Sequence, residues 1–214
     1  MDYPIILAVE DFVPVIFGSI GFALLGRTAP TAAAQKAGLA GAILIGAGGF
    51  AKCLWKLGYA AGAGDWTLLE QSLFPLMAAG ATLLSWSLAV TVRRGRRTHF
   101  WPFALTFALC VAGALLSGSL NPLFVAATLG VTAVSVLGAV VAGRHRQWWA
   151  VSLYALGLVL VMGLVPLRSS DEHHTLAFQW LEQSINTAAQ GCLLVAAWLT
   201  LRATTRPVLV GASS

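Results

Sequence analysis

The chain has 214 residues, of which 58% are hydrophobic and only 10% charged, with a mean hydropathy of +0.80 and a formal charge of +5. A soluble domain would carry roughly a quarter charged residues, so this composition excludes a water-solvated globule and predicts a polytopic membrane protein in contact with the lipid bilayer. Cys53, Cys110 and Cys192 stand singly in apolar segments, which excludes a disulfide framework or a thiolate metal site. The positive charge is explained by where it falls and calls for no nucleic acid.

The opening run MDYPIILAVEDFVP has no basic region before its apolar stretch, and Glu10 and Asp11 interrupt it. It reads as a retained first helix, not a signal peptide. Apolar windows predict seven spans, at about 5–26, 37–62, 67–92, 100–118, 121–142, 148–167 and 174–201. Each is near or above the roughly 20 residues that cross hydrocarbon. "RTAPTAAAQK" separates the first two spans, and Asp65 is placed to N-cap the third. "NP" at 121–122 offers the fifth an N-cap and a first-turn proline, and "SSDEHH" opens the seventh. Bends are expected at Pro14, Pro75 and the Gly48–Gly49 pair. Nothing remains for a soluble domain, so residues 1–214 read as one all-α, seven-helix integral membrane bundle.

Ten of the thirteen Lys and Arg fall on one side, in "RRGRR", "GRHRQ" and the segments around Arg27, Lys36, Arg202 and Arg206. By the positive-inside rule the N-terminus is outside, the C-terminus is cytoplasmic and the protein sits in the plasma membrane. Trp101, Trp148, Trp149 and Trp198 fit an inner aromatic belt; Tyr3, Tyr59 and Trp66 fit an outer one.

The tetrad LEQS occurs at 69–72 and again at 181–184, an offset of 112. At that offset Trp86 also meets Trp198, Arg94 meets Arg206, Gly18 meets Gly130 and Gly26 meets Gly138. This predicts a parallel 3+1+3 internal repeat: repeat 1 about 5–92, a linker helix about 100–118, and repeat 2 about 121–201. By architecture alone the arrangement resembles the SWEET and PQ-loop transporters and, in helix number, the opsins. It lacks a Pro-Gln pair in the first and fifth spans and a lysine in the seventh.

Every charge inside a span falls in the outer half. A charge in hydrocarbon costs a few kcal/mol on insertion scales, so such residues face inward, pair, and mark functional paths. Lys52 and Lys56 share a helix face at i, i+4, and at least one of Glu10 and Asp11 is expected to meet them. That lysine face continues through Gly48 and Gly41, small enough for close helix contact. Glu182, Asn186 and Gln190 form a polar stripe on the seventh span, read for its polarity as the most central. Glu70 and Glu182 are expected to neutralise Lys56 and Arg168 of their own triplets. The candidate binding set is therefore Glu10, Asp11, Lys52, Lys56, Glu70, His174, Glu182, Asn186 and Gln190, with His173 and His174 as weak metal candidates. Snorkelling explains the lysines equally simply, and helix-start charge explains Asp171 and Glu172.

Three functions fit. The first is a small-molecule or ion transporter whose charged, outward-facing pocket takes a small polar or anionic ligand, with Glu70 and Glu182 as proton carriers. The second is a non-transporting module: a sensor, a receptor, or a subunit of an oligomer or larger membrane complex. The third is a membrane-embedded metal-dependent hydrolase or lipid enzyme built on His173, His174, Glu182, Glu10 and Asp11.

Overall fold

A computed structural model describes residues 5–168, the last four by backbone alone, and residues 175–205. All regular structure among these residues is helical. The first span comprises α1 (Ile5–Glu10) and α2 (Phe12–Gly26), the second is α3 (Ala32–Ala60), and the third comprises α4 (Thr67–Gln71) and α5 (Leu73–Val92). The remaining four are α6 (Trp101–Ser117), α7 (Asn121–Arg144), α8 (Trp148–Arg168) and α9 (Leu176–Thr205). Among the described residues five helices are long and apolar enough to cross a membrane: Ile5–Gly26, Ala32–Ala60, Thr67–Val92, Asn121–Arg144 and Leu176–Thr205. Trp101–Ser117 is a shorter apolar helix, and α8 is apolar over Trp148–Leu164.

The two broken spans have one cause. Proline lacks the N–H that would bond to the carbonyl four residues back. For Pro14 that carbonyl belongs to Glu10, the last residue of α1; for Pro75 it belongs to Gln71, the last of α4. The Gly48–Gly49 pair behaves differently, because α3 runs through it unbroken. Those glycines admit neighbours instead: a Cβ on Gly48 would meet the Leu73 carbonyl at 3.0 Å, and one on Gly49 would meet Val15 at 2.9 Å.

Two cap expectations shift. α3 begins earlier than expected, at Ala32, since the Thr31 side chain accepts from the Ala34 N–H at 3.3 Å and supplies an N-cap. Asp65 does not cap α4; its carboxylate accepts from the Trp55 indole N–H at 2.7 Å. Asn121 is the first residue of α7, one position inside its expected capping place.

The helices α2, α3, α5, α7, α8 and α9 form a closed ring in that order, with α9 returning to α2. α6 lies outside it, against α5 and α7. The seventh span is thus one wall of the ring, and no helix occupies the middle. Helices alternate in direction, so the bundle has two ends. One carries the start of α1 and the α3–α4 and α6–α7 connections; with Asp11, Asp65 and Glu70 it is called here the acidic end. The arginine end carries the α2–α3, α5–α6 and α7–α8 connections and the end of α9.

Toward the arginine end the ring is filled. Leu25, Leu84, Leu88, Val134, Ala142 and Ala197 are each 0% exposed and belong to one apolar cluster with Phe22 and Leu193. Backbones touch here: a Cβ on Gly41 of α3 would stand 2.5 Å from the Gly80 carbonyl oxygen of α5. Such glycine crossings suit a bilayer, where helices gain nothing hydrophobic by associating and close packing must hold them. The outer surface shows the converse. Ile43, Leu115 and Leu116 are largely exposed, which costs nothing in hydrocarbon.

Candidate functional site

Inside the ring lies a cavity of about 670 Å³, within the range of small-molecule sites. All six ring helices line it and α6 contributes nothing. It runs from Asp11, Lys56, Leu73 and Glu182 at the acidic end down to Phe22, Tyr154 and Leu193. Of the expected binding residues, Asp11, Lys52, Lys56, Glu182, Asn186 and Gln190 are brought together on its wall.

Asp11 sits where the proline break ends α1, and its carboxylate is buried. Its Oδ2 lies 2.5 Å from Lys56 Nζ, with side-chain exposures of 9% and 28%. A buried carboxylate needs a cation more than a half-exposed one does, and α1 lies directly against α3. The expected meeting of Glu10 or Asp11 with the lysines is therefore found, and the expected Glu70–Lys56 pair is not: Lys56 is taken by Asp11. Glu70 lies in the short α4, half-exposed, off the cavity wall and in no ion pair among the described residues. The second expected pair, Glu182 with Arg168, falls on a side chain outside the described residues. His173 and His174 lie outside them as well. Among the described residues no three of His, Cys, Asp and Glu converge as metal ligands.

Glu10 is near the cavity but not on its wall. Its Oε1 accepts from the Thr187 hydroxyl at 2.9 Å, tying α1 to α9, while Oε2 is buried without a hydrogen-bond partner. The polar stripe of α9 is as expected, with one addition. Gln183 is 8% exposed, lines the cavity, and leaves its amide Nε2 unpartnered. Its spacing to Asn186 and Gln190 is i, i+3, i+7, the helical-face signal that could have revealed it. Gln190 Oε1 is seated over Gly18, where a Cβ would come within 2.7 Å, so that glycine makes room for the amide.

The cavity floor was not foreseen. Tyr154 of α8 is 2% exposed and its hydroxyl lies 3.3 Å from Thr200 Oγ1 of α9. The ring fits over Gly138 of α7, where a Cβ would meet it at 2.9 Å. Three helices are joined by one aromatic side chain. Tyr154 is a lone tyrosine in an apolar run, and nothing in the sequence distinguishes it from an interfacial one.

Chemically, this arrangement offers two ammonium groups, two carboxylates, three amides and several hydroxyls, Ser19 and Ser135 among them, over a largely apolar floor. Compared with protein-family models, curated proteins and solved structures, the chain matches none.

Proposed function

We propose that the protein binds a small polar solute of mixed or negative charge in the ring cavity and carries it across the membrane. The carrying observation is that residues far apart in sequence, from Asp11 to Gln190, converge on one cavity extending well past the charged positions. Depth matters here. The polar set judged from sequence looked shallow for a transporter, yet Ser135, Gln190 and Tyr154 bring the wall close to the filled layer. In this reading the acidic end faces out and the arginine end the cytoplasm, as the positive-inside rule requires.

The ring order supports the proposed 3+1+3 repeat. Each triplet is a row, α2–α3–α5 and α7–α8–α9, joined head to tail at α5–α7 and α9–α2, with the linker α6 outside. Two offset-matched glycine pairs fall at corresponding joints: Gly18 on α9 and Gly130 on α5, Gly26 on α3 and Gly138 on α8. The offset-matched tryptophans differ, since Trp86 donates to the Thr98 carbonyl and Trp198 lies under Arg202.

The filled layer below the cavity favours a second reading, a blind pocket that senses or stores its ligand. One experiment separates the two. Protein in sealed vesicles is offered labelled amino acids and small carboxylates, scoring both binding and uptake with and without an imposed proton gradient. Uptake lost in Lys52→Met and Asn186→Leu supports transport; saturable binding without uptake supports the blind pocket. No binding of either class by a folded protein would remove both.

A further inference from the structure

At the arginine end a second cavity, of about 560 Å³, lies among the ends of α2, α3, α5, α7 and α9. Arg27, Arg94, Arg144 and His145 line it. Among the described residues no carboxylate is on its wall or in ion-pair distance of these arginines. The sequence supplies none nearby: no Asp or Glu falls between Asp11 and Asp65, between Glu70 and Asp171, or after Glu182.

Helix ends offer a simpler use for arginines, because exposed carbonyls and the helix dipole attract cations. Here much of that demand is met locally: the Arg27 and Thr28 N–H groups bond late carbonyls of α2, the Arg94 and Gly95 N–H groups those of α5, and side chains add to this. The hydroxyls of Thr28 and Thr91 donate to the carbonyls of Leu25 and Ser87 at 2.7 and 3.0 Å. Those of Thr204 and Thr205 donate to the Leu201 carbonyl at 2.9 and 3.0 Å, and the Gln35 amide donates to Ala29 at 2.8 Å. Arg144 Nη1 donates to the carbonyl of Val92, the last residue of α5. The guanidinium groups of Arg27 and Arg94 make no hydrogen bond or ion pair among the described residues. Arg94 is also held at φ 52°, the left-handed position that follows a helix and that glycine fills at least cost.

We propose that this cavity binds a phosphate group, through the guanidinium forks of Arg27, Arg94 and Arg144. Several arginines converging on one concavity without a carboxylate match a tetrahedral anion whose oxygens accept paired N–H donors. The site is independent of what the ring cavity carries. Two sources share its chemistry: the headgroup of an anionic lipid, and a soluble phosphate compound. Exposed Trp101, Trp148 and Trp149 stand at this end, at the level where aromatic residues meet headgroups.

The test uses the full chain in uncharged detergent, its unfolding midpoint followed against inorganic phosphate and against chloride at equal ionic strength. A parallel arm uses vesicles of phosphatidylcholine with and without phosphatidylglycerol. A rise with phosphate beyond that with chloride identifies a soluble anion; a rise with phosphatidylglycerol alone identifies the headgroup. Arg94→Gly and Arg27→Gln should each weaken the apparent affinity by about tenfold, the worth of one charged hydrogen bond. Arg94→Gly keeps the fold, because glycine suits the left-handed position. Arg93→Gln removes the same charge from a residue off the cavity wall and should leave the affinity unchanged. The proposal is overturned if neither probe raises the midpoint, if the rise survives both variants, or if Arg93→Gln weakens it equally.

Discussion

The two cavities of this bundle are similar in size, about 670 and 560 Å³, and opposite in electrostatic design. The ring cavity holds both signs, with Asp11 and Lys56 drawn to 2.5 Å. The cavity at the arginine end holds one sign and no carboxylate among the described residues. The difference follows from depth. Inside the hydrocarbon an ion must have a counter-ion or stay close to water, whereas at the headgroup level an arginine remains solvated and its partner can come from outside the chain. Between them lies the filled layer, on which the whole contrast depends.

The largest expected effect breaks that layer. Gly41→Leu would push a side chain into the Gly80 carbonyl, backbone against backbone, where neither helix can yield. The loss should exceed the roughly 1–3 kcal/mol of ordinary overpacking. Folded yield and melting temperature in detergent check it, and a near-normal variant would mean that the crossing is looser than described.

Next comes the pair itself. Asp11→Asn and Lys56→Met each remove one member of the ion pair. Because Lys56 keeps 28% of its side chain exposed, each loss should be about 1–3 kcal/mol, below the 3–5 of a fully buried pair. The double variant should recover much of it. Strictly additive losses in this thermodynamic cycle would show that the two are not coupled.

A smaller effect sharpens the boundary between the cavities. Tyr154→Phe removes the hydroxyl facing Thr200 while leaving the ring over Gly138. Inter-helix hydrogen bonds in membranes average about 0.6 kcal/mol, so the melting point should fall only slightly. Ligand binding in the ring cavity should persist, and its loss would move Tyr154 from the floor into the binding site.

The smallest effect is expected at Glu70. Glu70→Gln touches neither cavity and should alter stability by no more than about 0.5 kcal/mol and binding not at all. A binding defect would restore Glu70 to the set of functional carboxylates.

These expectations show what was legible in the sequence. Distance along a helix converts directly to depth, so the span positions, the proline breaks and the clustering of charge toward one end could all be counted. Rotation about the helix axis could not. In a bilayer the face toward lipid and the face toward the core are both apolar, so periodicity loses most of the contrast that assigns sides in a soluble helix. Lys56 matches both Glu70 and the Glu10–Asp11 pair in depth, and only packing around the axis selects Asp11. For the same reason the inward place of Tyr154 had no signal in the sequence, whereas the i, i+3, i+7 spacing of Gln183 with Asn186 and Gln190 did carry one. The two copies of the tetrad also differ locally: in the first Pro75 ends the helix at Gln71, while in the second α9 continues without a break.

The filled layer has an electrical meaning. From Ser135 to Val141 along α7, the two cavity walls are six residues apart, roughly 9 Å of helical rise. If the bundle spans the membrane as proposed and its cavities fill with water from opposite sides, the conducting medium reaches that layer from each side, and the membrane voltage falls across it instead of across the roughly 30 Å of hydrocarbon. The local field is then about threefold steeper. A charge on Lys52 or Glu182 stands mostly outside that drop and senses little of it. An ion or solute passing Tyr154 would meet almost the whole potential, about 2.3 kcal/mol per elementary charge at 100 mV, within two turns of helix.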